Sequence, residues 1–138
     1  MKSSRHQARV AALRSLYLWE IGGTAADEAV SSFFLEHMSD ASESVRGFTR
    51  QIVLGTAGEI AELDALIQQH STNWRLDRLA VIDRLILRMA IWELRHEPNT
   101  PAAVVLNEAI ELARTFSTDE SVGFVNGVLD SIQKVLRP

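Results

Sequence analysis

Residues 79–94 read LAVIDRLILRMAIWEL, and this stretch decides the fold. Its apolar residues cover most of a helical wheel, which leaves a narrow polar stripe. That stripe consists of Asp77, Arg84, Arg88 and Arg95. Such a helix is normally buried against several partners. At about 16 residues, with three charges inside it, the stretch does not fit an ordinary membrane span. We therefore predict a central buried helix over 79–95.

The rest of the chain predicts an all-α domain around that helix. The protein has 138 residues, of which 46% are hydrophobic, so one domain can bury a substantial core. Segments with a period of 3.6 residues dominate, and no convincing alternating strand pattern occurs. We expect six to seven helices in a single domain, 1–138, with an N-terminal sub-bundle at about 4–70 and a C-terminal sub-bundle at about 76–136.

Several function classes are disfavoured by composition. Cysteine is absent and the four histidines are scattered, so neither thiolate metal sites nor a histidine zinc motif is expected. No nucleophile triad, P-loop or dinucleotide fingerprint is readable, which predicts a protein that is not an enzyme and needs no cofactor. No signal peptide and no 18-residue apolar run is evident, so we expect a cytosolic protein and no membrane contact. The net charge of −4 argues mildly against a nucleic-acid binder.

Helix ends can be assigned from capping residues. The first three helices are predicted at about 4–21, 25–38 and 43–69. Gly22-Gly23 should end the first of them, and Thr24 with Asp27 resembles a capping box for the second. Gly55 and Gly58 lie inside the third, where close packing against another helix would explain them.

The C-terminal helices carry similar signals. The connection at 70–76 should be anchored by Trp74. Thr100 as N-cap and Pro101 at the first helical position open the next helix. Ser117 and Glu120 have the spacing of a capping box for the last helix.

The densest basic cluster lies at the start of the first helix. It consists of Lys2, Arg5, His6 and Arg9. Positive charge arrayed along one surface is what phosphate binding requires. The alternative is a solvated helix end without a ligand.

An aromatic between two glycines lies near the start of the last helix, in Gly123-Phe124-Val125-Asn126-Gly127. If Phe124 is exposed, it offers a stacking surface for an unpaired base, and Asn126 could bond to a base edge. If Phe124 packs in the core, the glycines permit close helix contact and Asn126 caps a loop. Spacing alone favours the core.

Three blocks of sequence together resemble the NusB family. They are RHQARVAALRSLYLWE (5–20), DRLILRMAIWEL (83–94) and NEAIELARTFSTDESVGFVNGVLD (107–130). The resemblance implies two small helical bundles packed together and no catalysis. It implies binding of single-stranded boxA RNA jointly with the ribosomal protein NusE. The complex joins RNA polymerase and other Nus factors and suppresses termination in ribosomal RNA operons.

The resemblance also implies site residues. The RNA surface maps onto Arg5, His6 and Arg9, with Lys2 nearby, and onto Phe124. The NusE surface maps onto Tyr17, Asp83, Asp119 and Glu120. The basic patch is thinner than in many members, which have an unbroken basic run where this chain reads Arg-His-Gln.

Two alternative functions remain open at this stage. A NusB-like domain also forms the RNA-binding part of some ribosomal RNA methyltransferases, although the sequence shows no methyltransferase motif. A helical protein-interaction adaptor, or a homodimer that never binds RNA, is the other alternative. Charges on the central helix, including Asp83, fit either internal salt bridges or a protein contact.

Overall fold

The protein is all-helical, as its sequence predicts. The computed structural model describes residues 3–71 and 76–138, and no strand occurs within those ranges. Their helices are α1 (Ser4–Gly22), α2 (Ala26–His37), α3 (Glu43–Gly58), α4 (Ile60–His70), a 3₁₀ turn (Leu76–Arg78), α5 (Val81–His96), α6 (Ala102–Phe116) and α7 (Asp119–Leu136). None of these helices is long and apolar enough to cross a membrane.

Two compact units divide the chain, one up to Gly58 and the other covering Glu59–Pro138. The sequence placed residues 59–70 with the N-terminal sub-bundle. In the structure α4 belongs to the second unit, because it packs against α5 and α7.

The first unit is a three-helix bundle in which α1 packs against both α2 and α3. Small residues make the approach of α3 possible, since Ala8 and Ala12 have no exposed area. The buried Thr49 hydroxyl on α3 donates to the Ala8 carbonyl across a distance of 3.2 Å. Helix α1 ends as predicted at Gly23, whose φ of +69° lies in the left-handed region that favours glycine.

The second unit is built around α5. Eleven residues of this helix are buried, and it packs against α4, α6 and α7, which confirms the predicted central helix. A buried ion pair joins α5 to α4: Arg88 Nε lies 2.7 Å from one Asp64 carboxylate oxygen, and Arg88 Nη2 lies 2.9 Å from the other.

The C-terminus of α5 is completed by a residue at the far end of the chain. The Arg137 guanidinium donates to the carbonyl oxygens of Leu94, Glu97 and Thr100. Arg137 thereby satisfies carbonyls that the end of a helix leaves without partners.

The predicted third helix was wrong in one respect, because it is two helices. Glu59, with φ −126° and ψ 24°, interrupts the run between α3 and α4. Its carboxylate lies 3.0 Å from the Arg95 guanidinium and 2.7 Å from the His96 ring. Close packing does not explain Gly58, since a Cβ there would meet nothing within 4 Å.

Three predicted caps were also wrong. Helix α2 has Ala25 as its N-cap and no side-chain cap, so Thr24 does not form the expected box. Helix α6 has Pro101 rather than Thr100 at the N-cap. Helix α7 is capped by Thr118, whose side chain accepts from the Ser121 N–H, and not by Ser117. The prediction for Trp74 lies outside the described residues.

Candidate nucleic-acid interface

The start of α1 places the basic cluster at a capped helix end. The Ser3 hydroxyl oxygen accepts a hydrogen bond of 3.1 Å from the His6 N–H. Arg5 is exposed and His6 is half-buried, whereas Arg9 is only 4% exposed. Lys2 lies outside the described residues. Arg5 is therefore the arginine of this cluster that faces solvent.

Both arginines of the cluster meet the same aromatic ring. The guanidinium carbon of Arg5 lies 3.9 Å from the centroid of Phe48, and that of Arg9 lies 5.6 Å from it. Distances below about 6 Å permit cation–π attraction. The sequence did not indicate that Phe48 belongs to this site. A helical wheel of α1 cannot reveal which ring on another helix lies under its arginines.

Phe124 lies on α7 with its ring half-buried, so it is neither a core residue nor fully exposed. Gly123 and Gly127 on either side of it are exposed, and a Cβ at either position would meet nothing within 4 Å. The alternative that these glycines permit close helix contact is therefore wrong for the described residues. Asn126 is exposed on the same helix.

Phe124 also forms one wall of a pocket in the second unit. The pocket has a volume of about 260 Å³ and is lined by Arg78, Leu79, Ala80, Asp83, Thr118, Glu120, Ser121 and Phe124. Three of the eight lining residues are apolar and five are polar or charged, so this pocket is more polar than the usual small-ligand site.

Asp83 lines this pocket and is only 7% exposed. The Ser117 and Ser121 hydroxyls each donate to one of its carboxylate oxygens, both across 2.7 Å. The Thr118 and Ser121 hydroxyl oxygens are 3.0 Å apart. Because both serine protons are directed at Asp83, the Thr118 hydroxyl is left to donate to Ser121. This network fixes the start of α7 and, through it, the position of Phe124.

The residues mapped to a protein partner fall in both units. Tyr17 is 42% exposed on α1 in the first unit. Asp119 and Glu120 are exposed in the first turn of α7 in the second unit. Asp83 is the exception, because its carboxylate is occupied within the protein. Among residues 3–71 and 76–138, no group of three or more His, Asp or Glu side chains could hold a metal ion.

Comparison with known proteins decides the family. The family model described as "NusB family" matches residues 6–134. The chain belongs to the NusB family. The resemblance seen in the three sequence blocks is thereby confirmed.

Curated NusB relatives match over nearly their whole length. A protein of Sorangium cellulosum named "Transcription antitermination protein NusB" is 43% identical over 133 residues, which cover 96% of this chain and 94% of the relative. A protein of the same name from Treponema denticola is 38% identical over 135 residues, covering 96% of this chain and 98% of the relative.

Solved NusB structures have the same fold. NusB of T. maritima superposes with a TM-score of 0.90 at 31% identity, over 100% of this chain and 96% of that one. A second structure holds the antitermination factors NusB and NusE in complex with double-stranded RNA. Its matching chain has a TM-score of 0.88 at 26% identity, over 98% of this chain and 99% of that one.

Proposed function

We propose that this NusB-family protein is a transcription antitermination factor. It binds boxA RNA as a single strand together with the ribosomal protein NusE, and the complex joins RNA polymerase and other Nus factors to suppress termination in ribosomal RNA operons. No catalytic step is involved. We place the protein in the cytoplasm, where nascent RNA is found.

The observation that carries the proposal is the half-buried ring of Phe124, which lines the pocket in the second unit. An unpaired base stacks on an aromatic side chain that is fixed and accessible. The Asp83 network holds the start of α7, and part of the Phe124 ring is exposed at the pocket that it lines. Asn126, exposed on the same helix, offers both a donor and an acceptor to a base edge.

The start of α1 supplies the positive charge needed to bind RNA phosphates. Arg5 is exposed there, with His6 beside it and Lys2 three residues earlier in the sequence. A net charge of −4 for the whole chain does not oppose this, since local charge governs phosphate binding. The burial of Arg9 favours a supporting role beneath Arg5 over a direct phosphate contact.

The surfaces proposed for NusE are an exposed aromatic and an acidic pair. Tyr17 can bury a large amphipathic ring against a partner, as interface tyrosines commonly do. The exposed carboxylates of Asp119 and Glu120 suit a basic partner. Asp83 supports this surface from beneath by fixing the helix that carries the two acids.

The direct test is fluorescence anisotropy with a labelled boxA-like single-stranded RNA, at two salt concentrations, with and without purified NusE. We expect binding that weakens at higher salt and tightens when NusE is added. A shuffled RNA of the same length and composition is the control for sequence preference.

Two substitutions test the proposed RNA contacts, one in each unit. Arg5→Ala should weaken binding by about 1–2 kcal/mol and reduce the salt slope by about 1. Phe124→Ala should weaken it by about 1–3 kcal/mol with the slope unchanged, because stacking carries no charge. The matched controls are Arg50→Ala, at an exposed arginine of α3, and Val135→Ala, at an exposed residue of α7.

Negative results in these RNA titrations would reject defined parts of the proposal. If folded protein binds no RNA with or without NusE, the antitermination proposal is wrong. A protein-only adaptor or a homodimer then takes its place, and sedimentation velocity separates these two. If binding occurs but both controls behave like the test variants, the assigned surface is wrong.

A further inference from the structure

Phe48 lies directly beneath the exposed arginine of the basic cluster. The Arg5 guanidinium carbon is 3.9 Å from the centre of the Phe48 ring, which is van der Waals distance. Arg5 itself is exposed, whereas Phe48 is 5% exposed. The buried Phe48 ring therefore lies beneath the charged Arg5 guanidinium and contacts it.

The packing of α3 on α1 holds the Phe48 ring in place. Phe48 lies between Val45 and Ile52 on the buried stripe of α3, at helical spacings of three and four residues. The adjacent Thr49 hydroxyl reaches the Ala8 carbonyl across the helix interface. Both neighbours of the ring along the stripe are 2% exposed or less, so the ring has little freedom to move.

Contact with the Phe48 ring occupies only one side of the Arg5 guanidinium. Cation–π attraction acts through the face of the aromatic ring, so the N–H groups that point away from the ring can still donate hydrogen bonds. A free arginine at a helix end loses much rotamer freedom when it binds a ligand. An arginine already resting on a ring has lost part of that freedom before binding.

We infer that Phe48 is a positioning residue for RNA binding, holding the Arg5 guanidinium ready for a phosphate oxygen of single-stranded RNA. The inference rests on the proposed function. Phe48 does not touch the RNA. It acts through Arg5. The guanidinium carbon of the buried Arg9 lies 5.6 Å from the centroid of the same ring.

The test is the same anisotropy titration, with the boxA-like RNA and NusE, applied to a double-mutant cycle. Phe48→Leu removes the ring and keeps an apolar side chain. It should weaken RNA binding about three- to tenfold, corresponding to the usual strength of a cation–π contact. The salt slope should stay at its wild-type value, because the number of charges is unchanged. In an Arg5→Ala background the same substitution should change affinity less than twofold.

Two further variants separate positioning from structural damage. Phe48→Tyr keeps the ring and should bind within twofold of wild type. Arg5→Lys keeps the charge at an exposed position, where folding is not at risk, but replaces the planar guanidinium by a compact ammonium. It should weaken binding at least threefold with an unchanged slope, whereas the control Arg50→Lys should have no effect.

The outcomes distinguish the inference from the proposed function. If wild-type protein binds no RNA, both are overturned. If wild type binds and Arg5→Lys and folded Phe48→Leu bind equally well, only the role of Phe48 is overturned. Additive effects of Phe48→Leu and Arg5→Ala would equally overturn it, since they would show that the ring does not act through Arg5. If Phe48→Leu does not fold, Phe48→Met takes its place in the double-mutant cycle, with the same expected outcomes.

Discussion

Replacement of Asp83 by alanine should destabilise the second unit substantially, although a single carboxylate is removed. Asp83 accepts two hydrogen bonds of 2.7 Å, from Ser117 and Ser121, and is 7% exposed. Bonds to a charged group contribute about 1.5–3 kcal/mol each, or about 3–6 kcal/mol together.

Two effects reduce that sum. The Ser117 and Ser121 hydroxyl oxygens are already 2.9 Å apart, so after the substitution they can bond to each other and recover about 1 kcal/mol. Removing the carboxylate also removes the free-energy cost of burying its charge. We therefore expect a loss of about 2–3 kcal/mol in the free energy of unfolding.

Urea unfolding followed by circular dichroism measures this loss. With a slope of about 2 kcal/mol per molar, the midpoint should fall by about 1–1.5 M. The control is Asp40→Ala, at an exposed aspartate in the turn after α2, where a change below about 0.5 kcal/mol is expected.

A double variant tests whether the hydrogen bonds of Asp83 account for the expected loss in the free energy of unfolding. In the Asp83→Ala background, Ser121→Ala should cost less than it does alone, because its main bonding partner is already gone. The proposed network is refuted if Asp83→Ala lowers the free energy of unfolding no more than Asp40→Ala does. It is also refuted if the effects of Asp83→Ala and Ser121→Ala are fully additive. Weaker NusE binding by Ser121→Ala would show that the start of α7, and not the Asp83 carboxylate itself, matters to the partner.

Three other substitutions, one of them with a matched control, have defined outcomes in thermal or urea unfolding. Asp64→Ala should lower the free energy of unfolding by about 3–5 kcal/mol, because the buried Arg88 loses its bidentate partner; a loss below 1 kcal/mol would contradict this. Gly23→Ala should cost about 1–2 kcal/mol at φ +69°, whereas Gly22→Ala, with an ordinary 3.5 Å contact to a side chain, should not destabilise. Gly127→Ala should stabilise by about 0.5–1 kcal/mol, since it lies inside α7 with open space around it; destabilisation would show that its surroundings are crowded.

The sequence predicted the elements whose signals are local. The eight buried apolar residues of α5 were predictable from residues 79–94, because a helix with so broad an apolar surface is normally buried. The burial of Asp83, Arg88 and Glu93 on the same helix was not predicted. The end of α1 was equally readable from Gly22-Gly23, since glycine reaches the left-handed region at the lowest cost.

The errors came from contacts distant in sequence. Ser117 and Thr118 are both suitable N-caps. The Ser117 hydroxyl donates instead to Asp83, which lies 34 residues earlier, and this leaves Thr118 as the cap. The break at Glu59 coincides with ion pairs to Arg95 and His96 on another helix. No pattern within one helix contains that information.

Exposure within the candidate site was the hardest feature to predict. The wheel of α1 groups Arg5 and Arg9 on one side, but the structure exposes the first and buries the second against Phe48. Helical spacing favoured a core position for Phe124. The structure places its ring at the edge of the core, in a pocket wall, where it is half-buried.

The bond between Arg137 and the end of α5 has a consequence for synthesis on the ribosome. Leu94 and Arg137 are 43 residues apart, so α5 cannot gain this cap until residue 137 has been made. The first unit needs nothing beyond Gly58 for its own helix contacts. At about 5–20 residues per second, the interval between the two events is roughly 4–16 s. During that time the nascent chain can already have Arg5 resting on Phe48, while the helix that carries Phe124 is still being translated.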